Sequence, residues 1–132
     1  MSQTLIPAAM GSVVIQDCDE ILLEILTIAL DMEEITAYKT TDYDSQVLEL
    51  IEQVKPDLVM LDYKLDGEEC IKLFDQIRKI YPYLPVIAVS CNLQINFLYR
   101  IYGFTDYLEK PFELDKFYKI IWKYINKARV ST

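Results

Sequence analysis

The sequence has no histidine, and its 132 residues include only three cysteines, three glycines and five prolines. Each shortage removes a class of chemistry. Without imidazole there is no histidine general base. Cys18, Cys70 and Cys91 are odd in number, far apart and form no C-x-x-C pair. That excludes a structural zinc site and thioredoxin-type redox chemistry. The thiols are expected to be reduced and the chain cytoplasmic. Scarce glycine and proline exclude collagenous and low-complexity chains. No apolar run approaches the roughly 18 residues of a membrane span. Positive charge is short as well: 13 Lys+Arg face 21 Asp+Glu, a net charge of −8. A field of that sign repels phosphate backbones, so neither nucleic acid nor an anionic membrane surface is an expected partner.

What is present is 52% apolar, enough to build one packed domain from a chain of this length. Residues 1–12 have neither a basic start nor a long apolar stretch and read as a short arm, not a signal peptide. The domain is expected over 13–128, with 129–132 a tail too short to encode an output domain.

Apolar runs alternate with helical patterns along the chain. Val13-Val14-Ile15 stops at the polar cluster Gln16-Asp17-Cys18-Asp19-Glu20. A run of that length suits a strand buried on both faces, and the acids after it suit a helix cap. Ile21 to Leu30 reads as the helix, and Ile35 to Tyr38 as a second strand. Val47, Leu48, Leu50, Ile51 and Val54 recur at helical spacing behind Asp44 or Ser45 as cap, and Pro56 stops that helix. Leu58-Val59-Met60-Leu61 is a buried strand running into Asp62. Ile71, Phe74, Ile77 and Ile80 mark a third helix; Val86 to Val89 is a strand ending at Ser90. Leu93 to Tyr102 reads as a helix closed by Gly103, Tyr107-Leu108 as a strand running into Glu109-Lys110-Pro111, and Leu114 to Ala128 as the last helix. Five strand–helix alternations with short connections predict an α/β fold. Its form is a doubly wound, five-stranded parallel sheet in a flavodoxin-like (βα)5 three-layer sandwich.

In such sheets ligands sit beyond the carboxyl ends of the strands. Asp17, Cys18 and Asp19 follow the first strand, Asp62 the third, Ser90 the fourth and Lys110 the fifth. Any one of these is an ordinary cap, turn or loop residue; the ordered set is not explained that way. Gathered carboxylates repel, and must raise a pKa or take a cation. Magnesium suits them, being hard and content with one or two carboxylates, waters and phosphate oxygens. A carboxylate beside the ion can attack a phosphoryl group to give an aspartyl phosphate, whose oxygens then need an ammonium and a hydroxyl.

This pattern resembles the receiver domain of bacterial two-component response regulators, the chemotaxis-regulator-like fold, from about Val13 to Ala128. The resemblance implies that Asp62, in Pro56-Asp57-Leu58-Val59-Met60-Leu61-Asp62, is the phosphoacceptor and Asp17 the first acidic position. It implies Ser90 and Lys110 as phosphoryl-binding groups, and Ser90 with Tyr107 as the switch pair. It also implies magnesium held by Asp17, Asp62 and the backbone carbonyl of Lys64, with Asp19 a further candidate ligand. Four departures stand out. Cys18 occupies the place of the second acid, and Asp66 follows Leu65 where the family often has proline. Cys70 fills a later glycine slot. The Ser90-to-Lys110 spacing is about two residues short, which implies a trimmed loop or a shorter fourth helix.

The expected function is that of a receiver. It would take a phosphoryl group on Asp62 from a histidine kinase or phosphotransfer protein and switch a docking face. It would not be an enzyme on a separate substrate, though slow self-hydrolysis is expected. The alternative is a pseudo-receiver, an interaction module with weak or no magnesium binding because of Cys18. A flavodoxin-like cofactor binder is disfavoured because acids after the first strand repel a flavin phosphate. Phe97, Leu98, Tyr99, Ile101 and Tyr102 exceed what one buried stripe needs, so a homodimer through the fourth helix, fifth strand and fifth helix is a candidate use of that face.

Overall fold

Each apolar run becomes a strand, and each is followed by a helix with one buried face. The computed structural model describes residues 10–130, and side chains through Ile125. In chain order the elements are β1 (Gly11–Gln16), α1 (Glu20–Asp31), β2 (Ile35–Thr40), α2 (Ser45–Val54), β3 (Leu58–Asp62), α3 (Glu68–Ile80), β4 (Val86–Ser90), α4 (Ile95–Tyr102), β5 (Asp106–Glu109) and α5 (Leu114–Val130). The strands form one sheet in the order β2-β1-β3-β4-β5, every neighbouring pair parallel.

The two-residue period of the strands divides the apolar side chains between two cores. Val13, Ile15, Leu58, Met60, Ile87 and Val89 pack under α1 and α5 with Leu26, Leu30, Phe117 and Ile121. Val14, Val59, Leu61, Val86 and Ala88 face the other way, against Val47, Ile51, Leu73, Phe74, Ile77 and Ile95 of α2, α3 and α4. Both faces of the central strands are covered, which is why those strands read as unbroken apolar runs and not as alternating ones.

The predicted caps are in use. Asp19 accepts from the amides of Ile21 at 3.0 Å and Leu22 at 3.1 Å, and Asp44 accepts from that of Gln46 at 2.9 Å. Gly67 starts α3 at φ 77°, pressed so closely on the Tyr63 ring that a Cβ would come within 2.1 Å of it.

Three boundaries differ from the sequence expectation. β1 begins at Gly11, so the arm ends short of residue 12. Gly11 and Ser12 continue the ladder opposite Ile35 and Thr36, and the Met10 amide donates to Glu34 at 2.8 Å. A side chain at Gly11 would strike the Asp57 carboxylate, which accepts from the Ser12 amide at 2.8 Å. Residues 1–9 of the expected arm, and 131–132 of the expected tail, lie outside the described residues. α4 begins at Ile95, not Leu93, because the Asn92 side chain accepts from the Gln94 amide at 2.8 Å and turns the chain first. With eight residues α4 is the shortest of the five helices among the described residues. α5 runs on to Val130, two residues past Ala128.

Candidate functional site

Parallel strands point all their carboxyl ends at one edge, and the chain reverses its direction of travel across the sheet between β1 and β3. Asp17 follows β1 and Asp62 closes β3, so the two acids flank the crevice where ligands of such sheets sit. Both are almost fully buried, at 3% and 4% exposure. Lys110, following β5, joins them: its ammonium donates to Asp17 Oδ2 at 2.6 Å and to Asp62 Oδ1 at 3.2 Å. Burial alone would lower the pKa of that ammonium. The hydrogen bond and charge of Asp17, and then those of Asp62, outweigh burial and hold it above the ordinary lysine value.

Ser90 closes β4 and is buried. Its hydroxyl donates to the Tyr63 carbonyl at 2.5 Å and accepts from the Asn92 amide at 3.0 Å. Tyr107, half-buried on β5, packs its ring 4.9 Å from that of Tyr99 on α4.

The three positions after β1 separate. The Asp17 carboxylate points into the site, with Oδ1 accepting from the Asp19 amide at 2.9 Å. Cys18 is exposed, yet its thiol donates to Asp62 Oδ2 at 3.5 Å. The Asp19 carboxylate is engaged in capping α1 and does not join the cluster, so the further metal ligand offered by the sequence is not assembled. The group that is assembled is Asp17, Cys18 and Asp62, whose ligand atoms all lie within 4.8 Å of one another. The Lys64 carbonyl accepts the Gly67 amide at 2.9 Å and retains a second lone pair. Two buried carboxylates with ligand oxygens within 4.8 Å of each other fit a divalent cation. The thiol is the odd member of that donor set.

Two residues that sequence reasoning passed over hold Asp62 in place. Gln16, buried at the end of β1, accepts from the Asp62 amide at 3.1 Å and donates to the Thr41 carbonyl at 3.2 Å. A polar side chain ending an otherwise apolar run was its only signal. The Tyr43 hydroxyl, from the loop after β2, donates to the Asp62 carbonyl. Burial, followed by the negative charge of Asp62, raises the phenol far above its ordinary pKa, so it stays a neutral donor. Nothing in the sequence around Tyr43 marks it. Cys70 lies buried in α3, where burial and then the Asp62 charge raise its thiol too far to give a thiolate. An open groove of about 660 Å³ adjoins the site, bordered by Cys18, Tyr43, Lys64, Asp66, Glu68 and Glu69.

Comparison with known proteins bears on the family and the fold. The family model for the response regulator receiver domain matches residues 13–122. The DNA-binding transcriptional regulator NtrC of Escherichia coli is 31% identical over 108 residues, 80% of this chain and 23% of that protein. The probable C4-dicarboxylate response regulator DctR of Bacillus subtilis is 32% identical over 92 residues, 68% of this chain and 41% of that protein. This chain therefore spans about a quarter of the length of the NtrC relative it matches. Among solved structures, a receiver domain protein from Clostridium thermocellum superimposes with a TM-score of 0.79 at 18% identity, covering 92% of this chain and 99% of that one. A response regulator from Thermotoga maritima gives 0.77 at 24% identity, covering 88% and 98%. At those identities the structures establish the fold, while the family match covers most of the chain. The chain belongs to the response regulator receiver domain family of two-component signalling.

Proposed function

We propose that Asp62 is the phosphoacceptor, taking its phosphoryl group from a phosphohistidine on a histidine kinase or phosphotransfer protein. Receiver domains receive phosphoryl groups in this way and generally bind magnesium at an acidic pocket. The observation that carries the reading is the Lys110 ammonium bonded to both Asp17 and Asp62 at the crevice between β1 and β3. An Asp62 oxygen attacks phosphorus, the P–N bond to the donor imidazole breaks, and the new O–P bond leaves three oxygens to be matched. Asp17, Asp62 and the Lys64 carbonyl would hold the cation, which when bound supplies positive charge to the carboxylates and the phosphoryl oxygens. Lys110 supplies a second positive charge, transferred in part from the carboxylates it now contacts. Ser90 leaves the Tyr63 carbonyl to donate to a phosphoryl oxygen, vacating space that the half-buried Tyr107 ring can enter.

The switch biases two packings of the α4–β5–α5 face. Phe97 and Ile101, 66% and 71% exposed on α4, suit that face to a protein partner, a second copy included. Slow self-hydrolysis, a cytoplasmic location and the absence of direct nucleic-acid contact by this domain belong to the same proposal. No helix among the described residues is long and apolar enough to cross a membrane.

The test is intact-mass spectrometry after incubation with acetyl phosphate and a divalent cation. Wild type is expected to gain one phosphoryl increment and Asp62→Asn none. Equal increments in the two proteins, or none in wild type, would overturn the assignment. The pseudo-receiver alternative requires the second of those results.

A further inference from the structure

We propose that the outer face of α1 and α5 binds a second copy of this chain, in a two-fold dimer whose axis runs along the two helices. Each α1 then lies on the α5 of the other copy. The dimer does not depend on phosphoryl transfer to Asp62, and its face lies on the opposite side of the sheet from α4.

α1 buries Leu23, Leu26, Ala29 and Leu30 and turns a second apolar ridge to solvent. Ile21, Ile25, Ile28 and Met32 follow one another at intervals of four, three and four residues. That is the spacing of a helix–helix seam, and it keeps the four within about 60° of the helix circumference. Ile25 is 48% exposed, and Ile21 and Met32 are each 75% exposed. The two flanks of the ridge differ. Glu20, Glu24 and Asp31 follow the side toward β2, where Glu24 accepts from the Lys39 ammonium at 2.9 Å. On the other side α5 adjoins: Tyr118 donates to the Ala29 carbonyl at 3.0 Å and Trp122 to the Glu33 carboxylate at 3.3 Å. Lys116, Lys119 and Lys123 are exposed along α5, with Lys123 donating to Asp106 at 3.2 Å. An open groove of about 610 Å³ runs there, bordered by Asp115, Tyr118, Lys119, Trp122 and Lys123. Across the face the order is therefore acid, apolar ridge, aromatic seam and basic groove.

That order is self-complementary about one axis only. α1 and α5 both return against the parallel strands, so they point the same way. Their contacts set Ala29 level with Tyr118 and Glu33 level with Trp122, an offset of 89 positions each time. A half-turn about an axis along the helices reverses the face from side to side and leaves every level unchanged. It sets acid on base and ridge on groove, twice per dimer. Ile28 and Met32 meet Tyr118 and Trp122 of the second copy, and Asp31 meets its Lys119. Among the described residues neither Asp31 nor Lys119 has an ion pair within the chain. A half-turn about the axis across the helices would instead set acids against acids, which electrostatics disfavours. An apolar and aromatic centre with a charged rim is the anatomy of a protein interface. Ridge and groove share one face, so the contact closes at two copies and does not propagate.

Sedimentation equilibrium of the unphosphorylated full chain tests the proposal. A monomer–dimer equilibrium is expected, without larger species. Ile28→Glu should raise its dissociation constant by about 10-fold or more, as truncating a central contact does, while Phe97→Glu on α4 should leave it unchanged. Lys119→Glu and Asp31→Lys should each dissociate the dimer, because each sets like charges together at two places. Mixed in equal amounts, these two variants should pair with one another, since both crossed contacts regain opposite charges. All four positions are exposed, and circular dichroism melts matching wild type would show that the substitutions act on association alone. A monomer at every concentration would overturn the proposal and leave the ridge to a different protein. So would a dimer that tolerates Ile28→Glu but not Phe97→Glu, or two folded charge variants that fail to pair on mixing.

Discussion

Replacing Lys110 with methionine removes the one ammonium that joins two almost fully buried carboxylates. Asp17 and Asp62 present ligand oxygens within 4.8 Å of each other. At an effective dielectric of about 20, two unit charges at that distance repel by about 3 kcal/mol. The Lys110 side chain keeps 16% exposure, so water screens part of its attraction. The expected loss on Lys110→Met is therefore about 2–3 kcal/mol, between the values for exposed and fully buried pairs. With urea slopes of about 1–3 kcal/mol per molar for small domains, the unfolding midpoint should fall by about 1 M in metal-free buffer. Adding Asp62→Asn removes the repulsion, so the double variant should be more stable than Lys110→Met alone. The pH dependence has a definite sign. The Lys110 pKa is raised on folding, so its contribution is complete below the ordinary lysine value near 10.4 and fades as pH climbs through the higher folded value. The gap between wild type and variant should thus be flat around neutrality and close only in strong alkali. A midpoint unchanged by Lys110→Met, or a double variant weaker than the single, would refute the electrostatic reasoning.

Ser90→Ala should cost about 1 kcal/mol for the bond to the Tyr63 carbonyl and uncouple the switch: Asp62 still gains its mass increment, but Tyr107 ring resonances no longer move on phosphorylation. Movement of those resonances in the variant would break the link between the two residues. Gln16→Leu leaves the Asp62 amide and the Thr41 carbonyl without their partner, a loss of about 1–3 kcal/mol. Hydrogen exchange at the Asp62 amide should quicken, and unchanged exchange would show that Gln16 does not hold it. Gly67→Ala would place a Cβ 2.1 Å from the Tyr63 ring at φ 77°. It should lower stability by about 2 kcal/mol or more in thermal melts, since strain and overpacking coincide.

The parts of the site that were legible were those written as punctuation on apolar runs. Asp17, Asp62, Ser90 and Lys110 each end or closely follow a strand long enough to be recognised, and parallel strands deliver such residues to one edge whatever the packing details. Asp19 reads equally well as a ligand or as a cap. The choice belongs to the backbone: its carboxylate meets the amides of Ile21 and Leu22 at the start of α1, while the exposed Cys18 before it reaches Asp62 with its thiol. Tyr43 was illegible because its partner, the Asp62 carbonyl, is 19 residues away on another strand, in contact only after the sheet forms.

The sequence by itself determined the order of the elements, the two-sided burial of the central strands and the chemical types gathered at the carboxyl edge. All of these follow from local periodicity and from the direction that parallel strands share. Tertiary structure alone decided which lone pairs remain free there. Lys110 lies 93 positions from Asp17 and 48 from Asp62, and its bonds to them leave one Asp62 oxygen facing the Cys18 thiol. Which oxygen a distant ammonium occupies is a matter of ångströms in three dimensions, and spacing along the chain does not encode it.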